Sequence, residues 1–177
     1  MGQRKGLLLV FTGDGKGKTT AALGMALRAW GQGMKVLIVQ FIKSSIWQSG
    51  EQKAAEKLGS GLTIRSTGMG FVYEVDGDFD RHRQAAQEAL GLAGSEISYG
   101  KYDLVILDEI FYAINCGLIS LDDVLGLVDR KQEHVHLVLT GRNAPQEVIE
   151  RADLVTEMRD IKHHFSRGIK AQKGIEF

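Results

Sequence analysis

Short apolar runs that do not alternate with polar residues constrain this chain most: LLLVF within Leu7–Thr12, VLIV within Lys35–Phe41 and LVIL within Asp103–Leu107. A strand with one wet face alternates in character. A continuous run needs cover on both faces, which is the setting of a parallel strand between two helical layers. Leu62–Arg65, Val135–Thr140 and Leu154–Glu157 extend the reading to six strands. Between them Thr19–Trp30, Glu51–Leu58, Arg81–Ala93, Leu121–Arg130 and Gln146–Ala152 carry helical spacing, with Pro145 suited to the first turn of the last. The β-then-α order predicts an α/β fold, doubly wound around a mostly parallel six-stranded sheet. Ligands of such folds sit beyond the carboxyl ends of the strands. A chain of 177 residues without repeats or Pro/Ser-rich linkers reads as one domain, 1–177.

Charge narrows the function classes. Lys plus Arg and Asp plus Glu are 22 each, so no net field recruits nucleic acid or an acidic membrane, and any anion site must be local. The single Cys116 cannot pair within the chain, which makes a reducing cytoplasm the expected location. Leu7–Phe11 is far too short to span a bilayer. Two irregular stretches, Ile42–Gly50 and Ser66 to about Asp80, each follow a strand and are candidates for covering a ligand.

The first such ligand is announced by Thr12-Gly13-Asp14-Gly15-Lys16-Gly17-Lys18-Thr19-Thr20, set between a strand and an alanine-rich helix. It follows the phosphate-loop pattern G-x-x-x-x-G-K-[ST] except that Thr12 stands at the first glycine. Gly13, Gly15 and Gly17 let successive backbone N–H groups, including those of Asp14, Lys16 and Thr20, turn around phosphate oxygens while the helix aims its positive end at the same anion. Lys18 is expected to reach the phosphates and Thr19 to ligate Mg²⁺. Tyr102–Glu109 ends a hydrophobic strand with two acids, Asp108 and Glu109, placed to hold Mg²⁺ beside the loop. One of the two acids could instead cap the following helix. Arg142 and Asn143 follow the fifth strand and therefore also fall at the ligand edge.

Beyond these motifs, TGDGKGKTTAALGMALRAWGQGMKVLIVQFIK, LVILDEI, LTGRNAPQEVIERADLVTEMRDIKHHF and the closing GIKAQKGIEF resemble the ATP:corrinoid adenosyltransferases of cobalamin biosynthesis, over nearly the whole chain. The resemblance implies a RecA-like P-loop NTPase fold, ATP as co-substrate with Mg²⁺, and a corrinoid as acceptor. It also implies transfer of the 5′-deoxyadenosyl group to Co(I) with release of triphosphate, a homodimer, and a separate reductase for the cobalt. Cobalt is then the nucleophile, which agrees with the lack of a visible Ser, Cys or His triad. The family loop G-x-G-F-T-W-E, whose aromatics displace the lower axial ligand of the corrinoid, is matched by Gly68-Met69-Gly70-Phe71-Val72-Tyr73-Glu74. Phe71 matches the pattern; Tyr73 and the following VDGDFDRHR depart from it. Only Met1–Gly6 precede the first strand, whereas many members carry a longer amino-terminal segment over the site.

Read without the resemblance, Phe71 and Tyr73 are as well explained by ordinary aromatic packing. Trp47, in a long loop, is a candidate corrinoid contact, and Trp30 is expected in the core. The adjacent His163 and His164 read as surface or capping residues, and Lys162, Arg167, Lys170 and Lys173 as a solvated face. Two other P-loop functions compete: a small phosphotransferase, which would need an arginine-rich lid that is not evident, and a switch ATPase, which would release ADP and phosphate.

Overall fold

The computed structural model describes residues 5–44, 48–72 and 78–176. Six strands, β1 (Leu8–Thr12), β2 (Val36–Ser44), β3 (Leu62–Gly68), β4 (Leu104–Asp108), β5 (His136–Thr140) and β6 (Leu154–Glu157), form one sheet in the order β3-β2-β4-β5-β1-β6. Every pairing is parallel, so the sheet is wholly rather than mostly parallel. All five residues of both β1 and β4 are buried, as their unbroken apolar character requires.

Helices cover both faces. On one, α1 (Lys18–Gly31) and α2 (Gly50–Leu58) bury Ala22, Ala26, Ala29 and Ala55 against Leu9, Phe11, Val36, Ile38 and Ile106. The other face carries α3 (Phe79–Tyr99), α4 (Ile110–Asn115), α5 (Leu121–Asp129) and α6 (Gln146–Arg151). In α3, Ala86, Ala89, Ala93 and Ile97 make a stripe at helical spacing against the sheet. Small side chains let α1 and α3 approach the sheet closely. Enlarging fully buried Ala26 to leucine would overpack that contact at a cost of about 1–3 kcal/mol.

Three differences from the sequence reading have a tertiary cause. β2 and β3 run on to Ser44 and Gly68, which pair with each other across a register shift, so the loop regions begin later than Ile42 and Ser66 suggest. α3 continues from Ala93 to Tyr99 despite Gly94 and Ser95, because Ile97 extends the buried stripe, and it ends at left-handed Gly100. α4 was not expected, since a six-residue apolar turn has no period to read; burial of Ile110, Phe111 and Ala113 stabilises it. β6 has the expected bounds and is an edge strand with all four residues exposed. Trp30 is half-buried against the α1 side of the core, and Cys116 packs at the margin of the other. No helix among the described residues is long and apolar enough to cross a membrane.

Candidate active site

The strand order places β5 between β1 and β4, so the loops after these three strands meet at one edge of the sheet. The loop after β1 is pressed against the segment after β6. Gly15 N donates to Met158 O at 2.7 Å. A Cβ on Gly13, whose φ is 95°, would lie 2.4 Å from Met158 O, and one on Gly15 would lie 2.6 Å from Arg159 O. Glycine is therefore required here by close approach as well as by backbone angle. Lys18 folds back into the loop, its Nζ donating to Gly13 O at 2.6 Å and Gly15 O at 2.8 Å. Burial lowers its pKa, with the Arg142 charge adding to the effect and Glu109, Asp14 and Asp108 opposing it.

The acids at the end of β4 take two different environments. Asp108 is only 2% exposed, and its Oδ1 accepts from Thr19 Oγ1 and from Thr140 Oγ1, both at 2.8 Å. Thr140 in turn accepts from Glu109 N at 2.8 Å, so one buried hydroxyl on β5 clamps both acidic residues. Glu109 stands at the N-cap position of α4, with φ 61°, but its side chain makes no capping bond. That separates the alternatives left open by the sequence: its carboxylate lines the cleft instead. Burial raises the pKa of Asp108, opposed by its Thr140 and Thr19 bonds; burial also raises Glu109, and the Asp108 charge adds to it.

Around these groups lies a cleft of about 600 Å³. Asp14, Gly15, Lys16, Gly17, Lys18, Thr19, Thr20, Glu109, Arg142 and Phe71 all line it. Asp108 supports it from below through Thr19. Arg142 Nε lies 4.0 Å from Asp14 Oδ1 across the mouth. Asn143 is not among the lining residues; it is exposed and takes a left-handed φ of 52° in the loop after β5. Phe71 is 55% exposed, so it is no core aromatic, and its ring meets Tyr112 of α4 edge-on at 5.6 Å. Tyr112 Oη also accepts from Val72 N at 2.8 Å, which anchors the start of that loop. Trp47 and Tyr73 lie outside the described residues.

Four further titratable residues line the cleft that sequence reasoning did not select. Lys43 and Glu51 form an ion pair on the wall opposite the phosphate loop. Position at the carboxyl end of β2 was a signal that pointed to Lys43. His163 and Glu176 come from the carboxyl-terminal segment, whose return to the site has no local signature. Glu176 pairs with Lys16 at 2.9 Å and with His164 at 3.6 Å, and the two histidine rings stack at 4.6 Å. His163 lines the cleft while its Nδ1 accepts from Phe165 N at 3.2 Å, in keeping with the surface or capping reading.

The family model for ATP:corrinoid adenosyltransferase BtuR/CobO/CobP matches residues 4–177. The chain belongs to the ATP:corrinoid adenosyltransferase family. Corrinoid adenosyltransferases of Pseudomonas aeruginosa and Sinorhizobium sp. are 42% and 43% identical to it, over 98% of this chain and 84% and 81% of theirs. The corrinoid adenosyltransferase CobA of Salmonella typhimurium is 36% identical over 99% of this chain and 87% of its own. As a member of the family this adenosyltransferase is an enzyme of ATP-dependent adenosyl transfer to corrinoids. Its RecA-like fold is shared with the flagellar accessory protein FlaH of Methanocaldococcus jannaschii, at TM-score 0.58 and 15% identity, over 88% of this chain and 72% of that one.

Proposed function

We propose that the enzyme transfers the 5′-deoxyadenosyl group of ATP to the Co(I) of a corrinoid and releases triphosphate. The reading is carried by one observation: Lys18, Thr19 and Glu109 face the same cleft as the exposed Phe71. Such a cleft has a charged end for a polyphosphate and an aromatic end for a macrocycle. In the proposed step the Co(I) electron pair forms the bond to C5′ as the C5′–O bond breaks, and that bond's electrons leave on the triphosphate. No side-chain nucleophile is needed. The protein supplies orientation, through loop N–H groups and the α1 amino terminus, and charge stabilisation, through Lys18, Lys16 and Arg142.

The donor set fits Mg²⁺. Thr19 Oγ1, the Asp108 carboxylate and the nearby Glu109 carboxylate are all hard oxygens, the donor type that Mg²⁺ takes, and would hold the ion together with phosphate oxygens. Bound there, Mg²⁺ would neutralise part of the polyphosphate charge. Phe71, with Tyr73 expected beside it, would replace the lower axial ligand of a Co(II) corrinoid and ease its one-electron reduction. The family resemblance extends the proposal to a cytoplasmic homodimer of this single domain, served by a separate reductase.

Product analysis tests the whole reading. ATP with a chemically reduced corrinoid should yield triphosphate and a light-sensitive cobalt–carbon product in equal amounts. ADP with a phosphorylated acceptor would instead make the protein a phosphotransferase, and ADP with free phosphate a switch ATPase.

A further inference from the structure

Opposite the phosphate loop, β2 continues past its last pairing with β4, at Gln40 and Asp108, and carries Lys43 to the cleft. The Lys43 ammonium donates to Glu51 in the first turn of α2. Glu51 Oε1 also accepts from Gln40 Nε2 at 3.2 Å. Gln40 is 1% exposed and uses both ends of its amide, its Oε1 accepting from Ser66 Oγ at 2.7 Å. Ser66 Oγ in turn accepts from Gln52 Nε2 at 2.8 Å, which ties the network back to α2.

An ordinary surface ion pair is worth little and needs no buried support. This one is braced by a buried amide and faces the cleft that the phosphate loop also lines.

We propose that Lys43 is a catalytic residue that contacts the triphosphate from the wall opposite Lys18, and that Glu51, fixed by Gln40, is its positioning residue. Negative charge grows on the triphosphate as the C5′–O bond breaks, and a pre-placed ammonium needs no reorganisation to meet it. The inference rests on the triphosphate-releasing reading above, so its test includes a control for that reading.

Inorganic triphosphate with Mg²⁺ is titrated calorimetrically into the wild-type protein and into Lys18→Ala, Lys43→Gln, Lys43→Arg and Lys43→Gln/Glu51→Gln variants. Expected are at least tenfold weaker binding for Lys18→Ala and Lys43→Gln, and binding within threefold of wild type for Lys43→Arg. Glu51→Gln should add nothing in the Lys43→Gln background, because its role runs through the lysine. If Lys43→Gln melts prematurely, Lys43→Met/Glu51→Met removes both charges while keeping the stems packed, and the same tenfold loss is expected. Near-wild-type affinity in the lysine variants beside a weakened Lys18→Ala overturns the role of Lys43 alone. Unchanged affinity in Lys18→Ala as well overturns the phosphate-site reading and the inference with it. A Lys43→Gln effect confined to the corrinoid KM also overturns it, by assigning the lysine to the other substrate.

Discussion

Replacing Thr140 by valine isolates the clamp beneath the two acids. Valine keeps the volume of this fully buried side chain, so no cavity opens, yet both hydroxyl bonds vanish: the donation to Asp108 Oδ1 and the acceptance from Glu109 N. A hydrogen bond to a charged group contributes about 1.5–3 kcal/mol, and an N–H left unpartnered costs about 1–3 kcal/mol. Because Thr19 still donates to Asp108, the two effects overlap, and the expected loss is about 2–4 kcal/mol. At about 2–4 °C per kcal/mol for a chain of this size, the Tm should fall by about 5–15 °C. The pH dependence has a definite sign. Burial raises Asp108 above an ordinary carboxylate, so the native state binds more protons than the unfolded one in that window and loses stability as pH rises through it. Removing a donor raises Asp108 further. The stability deficit of Thr140→Val should therefore be greatest at neutral pH and shrink on acidification, and the acid limb of Mg²⁺-dependent activity should move to higher pH. Scanning calorimetry across pH measures the first effect. A Tm loss below about 2 °C at neutral pH would refute the clamp.

Lys18→Ala should abolish triphosphate release, by about a hundredfold or more, while leaving the melting temperature near wild type, since its ammonium bonds only loop carbonyls. Burial holds Lys18 below the ordinary lysine pKa of 10.5, so ATP affinity should fall as pH rises through that lowered value, and Lys18→Met should lack this limb in a binding titration. Glu109→Gln, and to a lesser or equal degree Asp108→Asn, should weaken the response to Mg²⁺, because an amide keeps the shape but loses the charge; identical metal titrations would make the acids structural. Phe71→Ala should still alkylate cobalt supplied as Co(I) but fail with Co(II) and a weak reductant, whereas Tyr73→Trp should maintain or raise the Co(II) reaction. Equal loss of both reactions in Phe71→Ala, with four-coordinate cobalt still forming in its spectra, would reduce that loop to pocket shape.

Much of this molecule is determined locally. Unbroken apolar runs such as VLIV and LVIL demand cover on two faces, so the parallel sheet and its helical layers follow from hydrophobicity and length alone. The phosphate loop is equally legible, because the geometry that wraps an anion needs glycines, a lysine and a hydroxyl within a few consecutive residues. Elements and boundaries set by packing were not legible: α4 exists because Phe111 and Ile110 are buried, and β2 and β3 are prolonged by the pairing of Ser44 with Gly68. The division recurs in the site. Thr140 and Asp108 are brought together by the insertion of β5 between β1 and β4, a matter of strand order that no local pattern encodes. Lys43 with Glu51, and Glu176 with Lys16, are likewise joined by chain reversals. Sequence periodicity reports which face of an element avoids water, because that depends on neighbours along the chain. Which charged side chains meet across the cleft depends on the order in which strands assemble, and only the folded sheet decides it.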